Sequence, residues 1–200
     1  MIELICGMDE AGRGPLAGPV TAGCVILPDD FPTEILNDSK KLSEKKRILA
    51  EEVIMEKACW GLGVVDHEII DQMNILRASM YAMSIAYQSM RLKLPDWLGS
   101  RGLEFDEAQL DSCISAITDG TSNPEVPCRC RCEPKADGKY PEVMAASIIA
   151  KVERDKMMVE FDKLYPEYGY AKHKGYPTAA HIAICRKLGM SPIQRKTFKF

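Results

Sequence analysis

Two hundred residues, 46% hydrophobic and 28% charged, suffice for one ordinary core and lie far from the composition of a disordered chain. The N-terminus carries Glu3 and lacks a basic stretch followed by a long apolar core, and the charge-free residues 15–28 are too short and too broken by Gly and Pro to span a bilayer. This argues against secretion or membrane insertion and leads us to expect a cytoplasmic protein with no membrane partner; a monomer is expected as well.

In chain order, the apolar run 2–8 predicts a strand ending at Asp9 and Glu10, and residues 20–27 predict a second, with a Gly- and Pro-rich turn between them. The polar connection 38–43 leads to Ser43-Glu44, a helix start, and a helix to about Lys57. Residues 60–65 form a third strand candidate. Residues 74–94 predict the clearest helix, with Leu76, Met80, Met83, Tyr87, Met90 and Leu94 recurring at steps of four and three as one apolar stripe. Residues 95–102 read as a loop, 113–118 as a fourth strand ending at Asp119-Gly120, and 127–132 as a fifth. Pro141 suits the first turn of a helix reaching about Leu164. Residues 165–177 read as a loop, and Thr178 caps a helix to about Leu188, stopped by Gly189 and Pro192. Strands followed by helices give an α/β sheet with helices on its faces and a helical C-terminal extension.

The formal net charge of −3 argues mildly against nucleic acid as a partner, but its distribution does not. From Lys151 onward eleven Lys and Arg face five acids, leaving +6 there and −9 in residues 1–150. That asymmetry allows phosphate contacts on one side and a carboxylate-rich site on the other. Among eight cysteines, Cys6, Cys24, Cys59, Cys113 and Cys185 stand singly in apolar surroundings, where cysteine behaves as a small hydrophobe. Cys128, Cys130 and Cys132 alternate with Arg129 and Arg131, the period of a strand with one covered face. Paired zinc-ligand spacings are lacking, so reduced thiols are expected.

The densest chemical signal is Asp9-Glu10-Ala11-Gly12-Arg13-Gly14. Two acids can hold a hard cation, small residues admit a polyanion backbone, and a guanidinium can meet phosphate or sugar oxygens through a fixed fork of donors. Asp119-Gly120 and Asp137-Gly138, taken singly, read as turns. Adjacent strand residues point to opposite faces, so Asp9 and Glu10 aim inward together only if the backbone turns between them. Four converging carboxylates would repel one another unless two divalent cations about 4 Å apart neutralised them and clamped the attacking and leaving oxygens of a phosphodiester.

With these residues in view, the chain resembles ribonuclease HII, the prokaryotic type 2 ribonuclease H. The resemblance runs through residues 9–20 and 38–43, Glu68-Ile69-Ile70-Asp71, Asn74-Ile75, Ala82-Met83, Thr118-Asp119-Gly120, Lys135-Ala136-Asp137, residues 145–152 with Arg154-Asp155, His173-Lys174-Gly175-Tyr176 and Ser191-Pro192-Ile193. It implies a ribonuclease H-like fold: a mixed five-stranded sheet flanked by helices, with residues 1–160 as catalytic domain and 161–200 as a helical C-terminal extension contributing substrate contacts. It implies cleavage of the RNA strand of RNA–DNA hybrids and incision 5′ to ribonucleotides embedded in duplex DNA, leaving 3′-hydroxyl and 5′-phosphate ends, with roles in ribonucleotide excision repair and DNA replication. By position, Asp9, Glu10, Asp119 and Asp137 are the catalytic, metal-binding acids for Mg²⁺ or Mn²⁺. Gly12, Arg13 and Gly14 would read the 2′-hydroxyl and adjacent phosphates, Tyr176 the sugar after the ribonucleotide, and Ser39 and Lys40 a phosphate. Ser147, Lys151 and Arg154 are taken mainly as helix residues near the site. Residues 194–200 loosely resemble a sliding-clamp-binding tail, with Thr197 where an aliphatic residue is expected. The rival readings are a ribonuclease HIII-like enzyme, whose family members carry an extra N-terminal domain, and a non-catalytic nucleic-acid-binding module.

Overall fold

The computed structural model describes residues 3–199. Ile2 of the expected first strand and Phe200 of the clamp-like tail lie outside the described residues. Five strands, β1 (Leu4–Ala11), β2 (Val20–Ile26), β3 (Cys59–Val65), β4 (Ile114–Asp119) and β5 (Arg129–Glu133), form one sheet in the order β3-β2-β1-β4-β5. β1 pairs antiparallel with β2 and parallel with β4, β2–β3 is antiparallel and β4–β5 parallel, so the sheet is mixed. β1 does not stop at the acids. Asp9, Glu10 and Ala11 continue the ladder opposite Gly23, Ala22 and Thr21, so the acids sit inside the strand and its backbone does not turn between them.

The helices are α1 (Glu44–Lys57), α2 (His67–Met73), α3 (Ile75–Ser100), α4 (Leu110–Cys113), α5 (Pro141–Leu164), α6 (Tyr170–His173) and α7 (Ala179–Leu188). α3 covers one face of the sheet; α5, with α1 beside it, covers the other. Alternation assigns the faces. Cys6 and Met8 pack with Ala82 and Met83 of α3, whereas a Cβ on Gly7 would strike the backbone of Glu142 and Val143 at the start of α5. Gly61 and Gly63 let α3 come close, since a side chain at either would overlap the carbonyls of Ala86 and Ala82.

The expected apolar stripe of α3 needs correction at its start. Met83, Tyr87, Met90 and Leu94 are buried, but Leu76 is exposed and Met80 only half-buried; the seam is completed by Ala78, Ala82 and Ala86, whose small size suits the glycines of β3. Residues 95–100 are helical, not loop. Leu98 is buried, the Trp97 indole donates to the Lys57 carbonyl (3.0 Å) and Arg101 donates to the same oxygen, so packing carries the helix through Pro95 despite its missing N–H. The expected loop 165–177 holds a 3₁₀ turn (Pro166–Tyr168) and α6, because Tyr168 and Tyr170 are buried against Met158 of α5 and Ile193. α2 went unanticipated, although Asp66 caps it by accepting from the Ile69 amide, and Asn74 caps α3 in the same way from Leu76 and Arg77. Thr178 caps α7 as expected, accepting from His181.

All eight cysteines are free thiols; Cys6, Cys24, Cys59 and Cys185 are buried, and Cys130 and Cys132 alternate with exposed Arg129 and Arg131 on the edge strand. Among the described residues no helix is long and apolar enough to cross a membrane.

Glu51 of α1 is buried and holds the Lys156 ammonium at 2.7 Å, yet burial outweighs that partner and pushes its carboxyl from 4.5 up to about 7. A carboxyl whose folded value exceeds its unfolded one contributes stability that is complete below pH 4.5 and is lost as pH rises through about 7. Glu51→Gln is therefore expected to raise the melting temperature at pH 8 by about 2–4 °C, roughly 1 kcal/mol once the half-exposed lysine is discounted, and to change nothing near pH 4.5. Equal melting curves at pH 8 would refute it.

Candidate active site

The parallel strands β1 and β4 end side by side, and their C-terminal edges build the site. Asp9 shares the parity of Gly7 and faces α5. Asp119, the last residue of β4, shares the parity of Ile117, which packs against Ala136 and Val143 on that same side. Its Oδ1 accepts from the Ala136 amide at 2.7 Å, tying the strand to the 3₁₀ turn Ala136–Gly138 and swinging Asp137 inward. Three carboxylate oxygens, one each from Asp9, Asp119 and Asp137, thus lie within 4.8 Å of one another, with Asp9 and Asp137 buried.

Glu10 is not in that trio. It points to the opposite face, as alternation requires, and its Oε1 meets the Arg13 guanidinium at 3.2 Å. Burial first, then the charges of Glu10 and Asp119, hold the Asp9 carboxyl well above the usual range. Asp137 is raised by burial and by Asp119, against the pull of Lys40, whose Nζ lies 3.7 Å from its Oδ2. Burial also raises Glu10, with Arg13 opposing it. Burial works against the Lys40 charge, but Asp137, Asp9 and Asp38 together keep its ammonium above its ordinary value.

The acids are short of positive charge, and their donors are all carboxylate oxygens, the set that hard divalent cations take. Burial, and after it the neighbouring carboxylates, lifts Asp9 and Asp137, and the exposed Lys40 only partly opposes this at Asp137. These residues fit Mg²⁺ or Mn²⁺.

The Gly12-Arg13-Gly14 turn follows directly. Gly12 has φ +99°, a conformation that favours glycine, and Gly14 lies against the Tyr176 ring. Tyr176 is part-exposed; its amide donates to the His173 carbonyl and its own carbonyl accepts from His181 Nδ1 at 3.0 Å. Lys40 thus joins the trio, Arg13 joins Glu10, and Tyr176 joins the glycine turn. Ser39 is buried, with its carbonyl held by Arg47 at 2.8 Å, and meets none of them directly. Ser147 is turned onto the Met144 carbonyl and Lys151 onto Asp155, as ordinary helix residues.

Two participants escaped the sequence reading. Arg154, taken mainly as a helix residue near the site with no contact assigned to it, is buried and donates to the carbonyls of Ala17, Pro19 and Lys174. Arg195, within the supposed clamp tail, is fully buried beneath the turn. Gln194 beside it is buried too, and Asp71 accepts from the amides of Lys196 and Thr197, so this segment is part of the body. An isolated arginine near a terminus carries no signal of burial; the Asp71 motif noted above was the available hint.

The family model described as Ribonuclease HII matches residues 6–200. Ribonuclease HII of Treponema denticola is 46% identical over 200 residues, covering 98% of each chain, and that of Vibrio parahaemolyticus is 45% identical over 98% of this chain and 85% of its own. Among solved structures, ribonuclease HII of Archaeoglobus fulgidus in its PCNA complex superposes with a TM-score of 0.67 at 24% identity, over 98% of this chain and 96% of that one. Bst-RNase HIII in complex with Mn²⁺ has the same fold (TM-score 0.61, 18% identity), and the match spans 94% of this chain but 63% of that longer one. The matches to a ribonuclease H-type sheet and to full-length relatives agree: the chain belongs to the ribonuclease HII family and is an endoribonuclease.

Proposed function

We propose that this endonuclease of RNA–DNA hybrids also incises duplex DNA 5′ to an embedded ribonucleotide, leaving 3′-hydroxyl and 5′-phosphate ends, with Asp9, Glu10, Asp119 and Asp137 as its metal-holding acids. The observation that carries this is the meeting of three carboxylate oxygens within 4.8 Å at the end of the strand that leads into the Gly12-Arg13-Gly14 turn. Held there, Mg²⁺ or Mn²⁺ would supply Lewis-acid stabilisation of the attacking and leaving oxygens. The Mn²⁺ complex of Bst-RNase HIII, a protein of like fold, supports a divalent ion.

The chain's own groups do the rest. Asp9, fixed by its 2.7 Å bond from the Glu10 amide, and Asp119, fixed by Ala136, present oxygens at set positions. Glu10, beside Asp9 in the strand, holds the Arg13 guanidinium through Oε1 and would turn towards a bound ion to join the other three acids. The turn 12–14 approaches the 2′-hydroxyl, which distinguishes RNA from DNA, Tyr176 packs on the following sugar, and Lys40 and Ser39 meet a phosphate. Residues 1–160 then carry the acids and 161–200 prop the reading turn, although α5 runs across that boundary to Leu164. A cytoplasmic monomer suffices for this work. Sliding-clamp binding draws support from the Archaeoglobus fulgidus complex, but here a clamp would have to engage residues beyond Arg195 or release Gln194 and Arg195 from the body. A non-catalytic binding module is disfavoured, because unneutralised carboxylates repel a phosphate backbone.

The test is incubation of a duplex bearing one ribonucleotide with Mg²⁺, Mn²⁺ or EDTA, followed by mapping of the cut. A single incision 5′ to the ribonucleotide, absent with EDTA, is expected. Cleavage elsewhere, or cleavage that survives EDTA, would overturn the proposal.

A further inference from the structure

Arg195 spends all five of its guanidinium N–H groups on main-chain carbonyls of one loop. Nε donates to Gly18 (2.9 Å), Nη1 to Arg13 (3.1 Å) and Pro15 (2.9 Å), and Nη2 to Gly12 (2.7 Å) and Pro19 (3.0 Å). Its own amide donates to Leu16 (2.8 Å), and Arg154 adds bonds to Ala17 (3.2 Å) and Pro19 (2.9 Å). Every carbonyl from residue 12 to 19 except that of Gly14 is therefore drawn inward.

In a trans peptide the C=O of one residue and the N–H of the next point opposite ways. The chain has no cis peptide bond among the described residues. Pulling the Gly12 carbonyl inward turns the Arg13 N–H outward, and pulling the Arg13 carbonyl inward turns the Gly14 N–H outward. Among the described residues neither amide has a protein acceptor. Both guanidiniums are buried, and among the described residues no carboxylate contacts either; Asp71 acts on Arg195 and Asp155 on Arg154 only at a distance. Burying a charge in this way is costly unless its donors are fully met, and here they are met by the loop.

We propose that Arg195 is the positioning residue of the ribose-reading turn: by binding the Gly12 and Arg13 carbonyls from beneath, it aims the Arg13 and Gly14 amides at the sugar–phosphate of the substrate. The assignment rests on the functional reading above, since it presumes that this turn meets a ribonucleotide. Arg195 does not touch the metal-holding acids, so it governs discrimination and not ion binding. A lysine in its place keeps the charge but offers three donors from one point, which cannot span Gly12, Arg13, Pro15, Gly18 and Pro19. Asp71 seats the segment from the surface through Lys196 N (2.8 Å), Thr197 N (3.0 Å) and Thr197 Oγ1 (2.6 Å).

The experiment compares the parent with Arg195→Lys and Asp71→Ala, using Ca²⁺ to block turnover. It measures affinity for a duplex with one ribonucleotide against the all-DNA duplex, and separately the affinity for Mn²⁺ alone. The preference for the ribonucleotide duplex is expected to fall about tenfold in Arg195→Lys, the size of one lost charged hydrogen bond, and about threefold in Asp71→Ala, with Mn²⁺ affinity unchanged. If Arg195→Lys does not fold, Asp71→Ala decides, because its side chain lies near the surface and its removal opens no core cavity. An unchanged preference in the folded variants, or an equal loss of Mn²⁺ affinity, overturns the assignment. A parent with no preference would instead refute the functional reading itself.

Discussion

Asp9→Asn is expected to lower cleavage of a hybrid by roughly a thousandfold or more, about 4 kcal/mol of transition-state stabilisation, while leaving the fold and hybrid binding intact. Asparagine has the same shape, and its Oδ1 still accepts from the Glu10 amide, so the local bond survives. The substitution removes one member of a cluster whose carboxyls already resist ionisation through burial and mutual repulsion. Without a divalent ion the variant should melt at or above the parent, and with Mn²⁺ it should lose the ion-dependent gain in melting temperature that the parent shows. Asp119→Asn should behave alike. Loss of folding in either would mean that the acid is structural.

Gly12→Ala is expected to be the most damaging change outside the acids. At φ +99° an L side chain is strained by about 1–2 kcal/mol, and its methyl would overlap Nε and Cδ of buried Arg154 as well as the Pro19 carbonyl. A total near 3 kcal/mol corresponds to a melting temperature roughly 6–12 °C lower. Cleavage at a single ribonucleotide should fall about a hundredfold, because the turn can relieve the clash only by shifting the Arg13 and Gly14 amides. Mn²⁺ binding should persist, since the acids lie on β1, β4 and the 136–138 turn. Calorimetry and a single-turnover assay decide it; a variant with parental melting and cleavage would show that the turn is free to move.

Much of this was legible in the sequence, and what was not has physical causes. Strands with a sharp end, such as β4 stopping at Asp119-Gly120, and helices with a capping residue, such as Ser43 for α1 and Thr178 for α7, announced themselves locally. The extension of β1 beyond Met8 was hidden, because its cause is pairing with Thr21 and Ala22 and not the residues themselves. The last turns of α3 were hidden behind Pro95, and only the contact of Trp97 and Arg101 with Lys57, far off in sequence, keeps them helical. At the site, three acids from three distant segments could be brought to one place only through the family resemblance, since Asp119-Gly120 and Asp137-Gly138 each read as plain turns. Alternation posed the question of Glu10 without answering it, because a turn between the two acids depends on whether the β1–β2 ladder continues through them, and that is set by pairing with Ala22 and Gly23. Arg195 stayed out of sight because its role lies in the carbonyls that it holds, and carbonyls leave no mark on a sequence.

Cleavage by this site requires divalent ions to gather between Asp9, Asp119 and Asp137 beside the ribonucleotide. Anomalous scattering at the manganese edge, from crystals of Asp9→Asn-free parent protein grown with Mn²⁺ and a duplex made uncleavable at its single ribonucleotide, measures that directly. Manganese peaks bounded by these three side chains and touching the phosphate 5′ to the ribose are the predicted result; manganese elsewhere, or a ribonucleotide seated away from Gly12–Gly14, would contradict it.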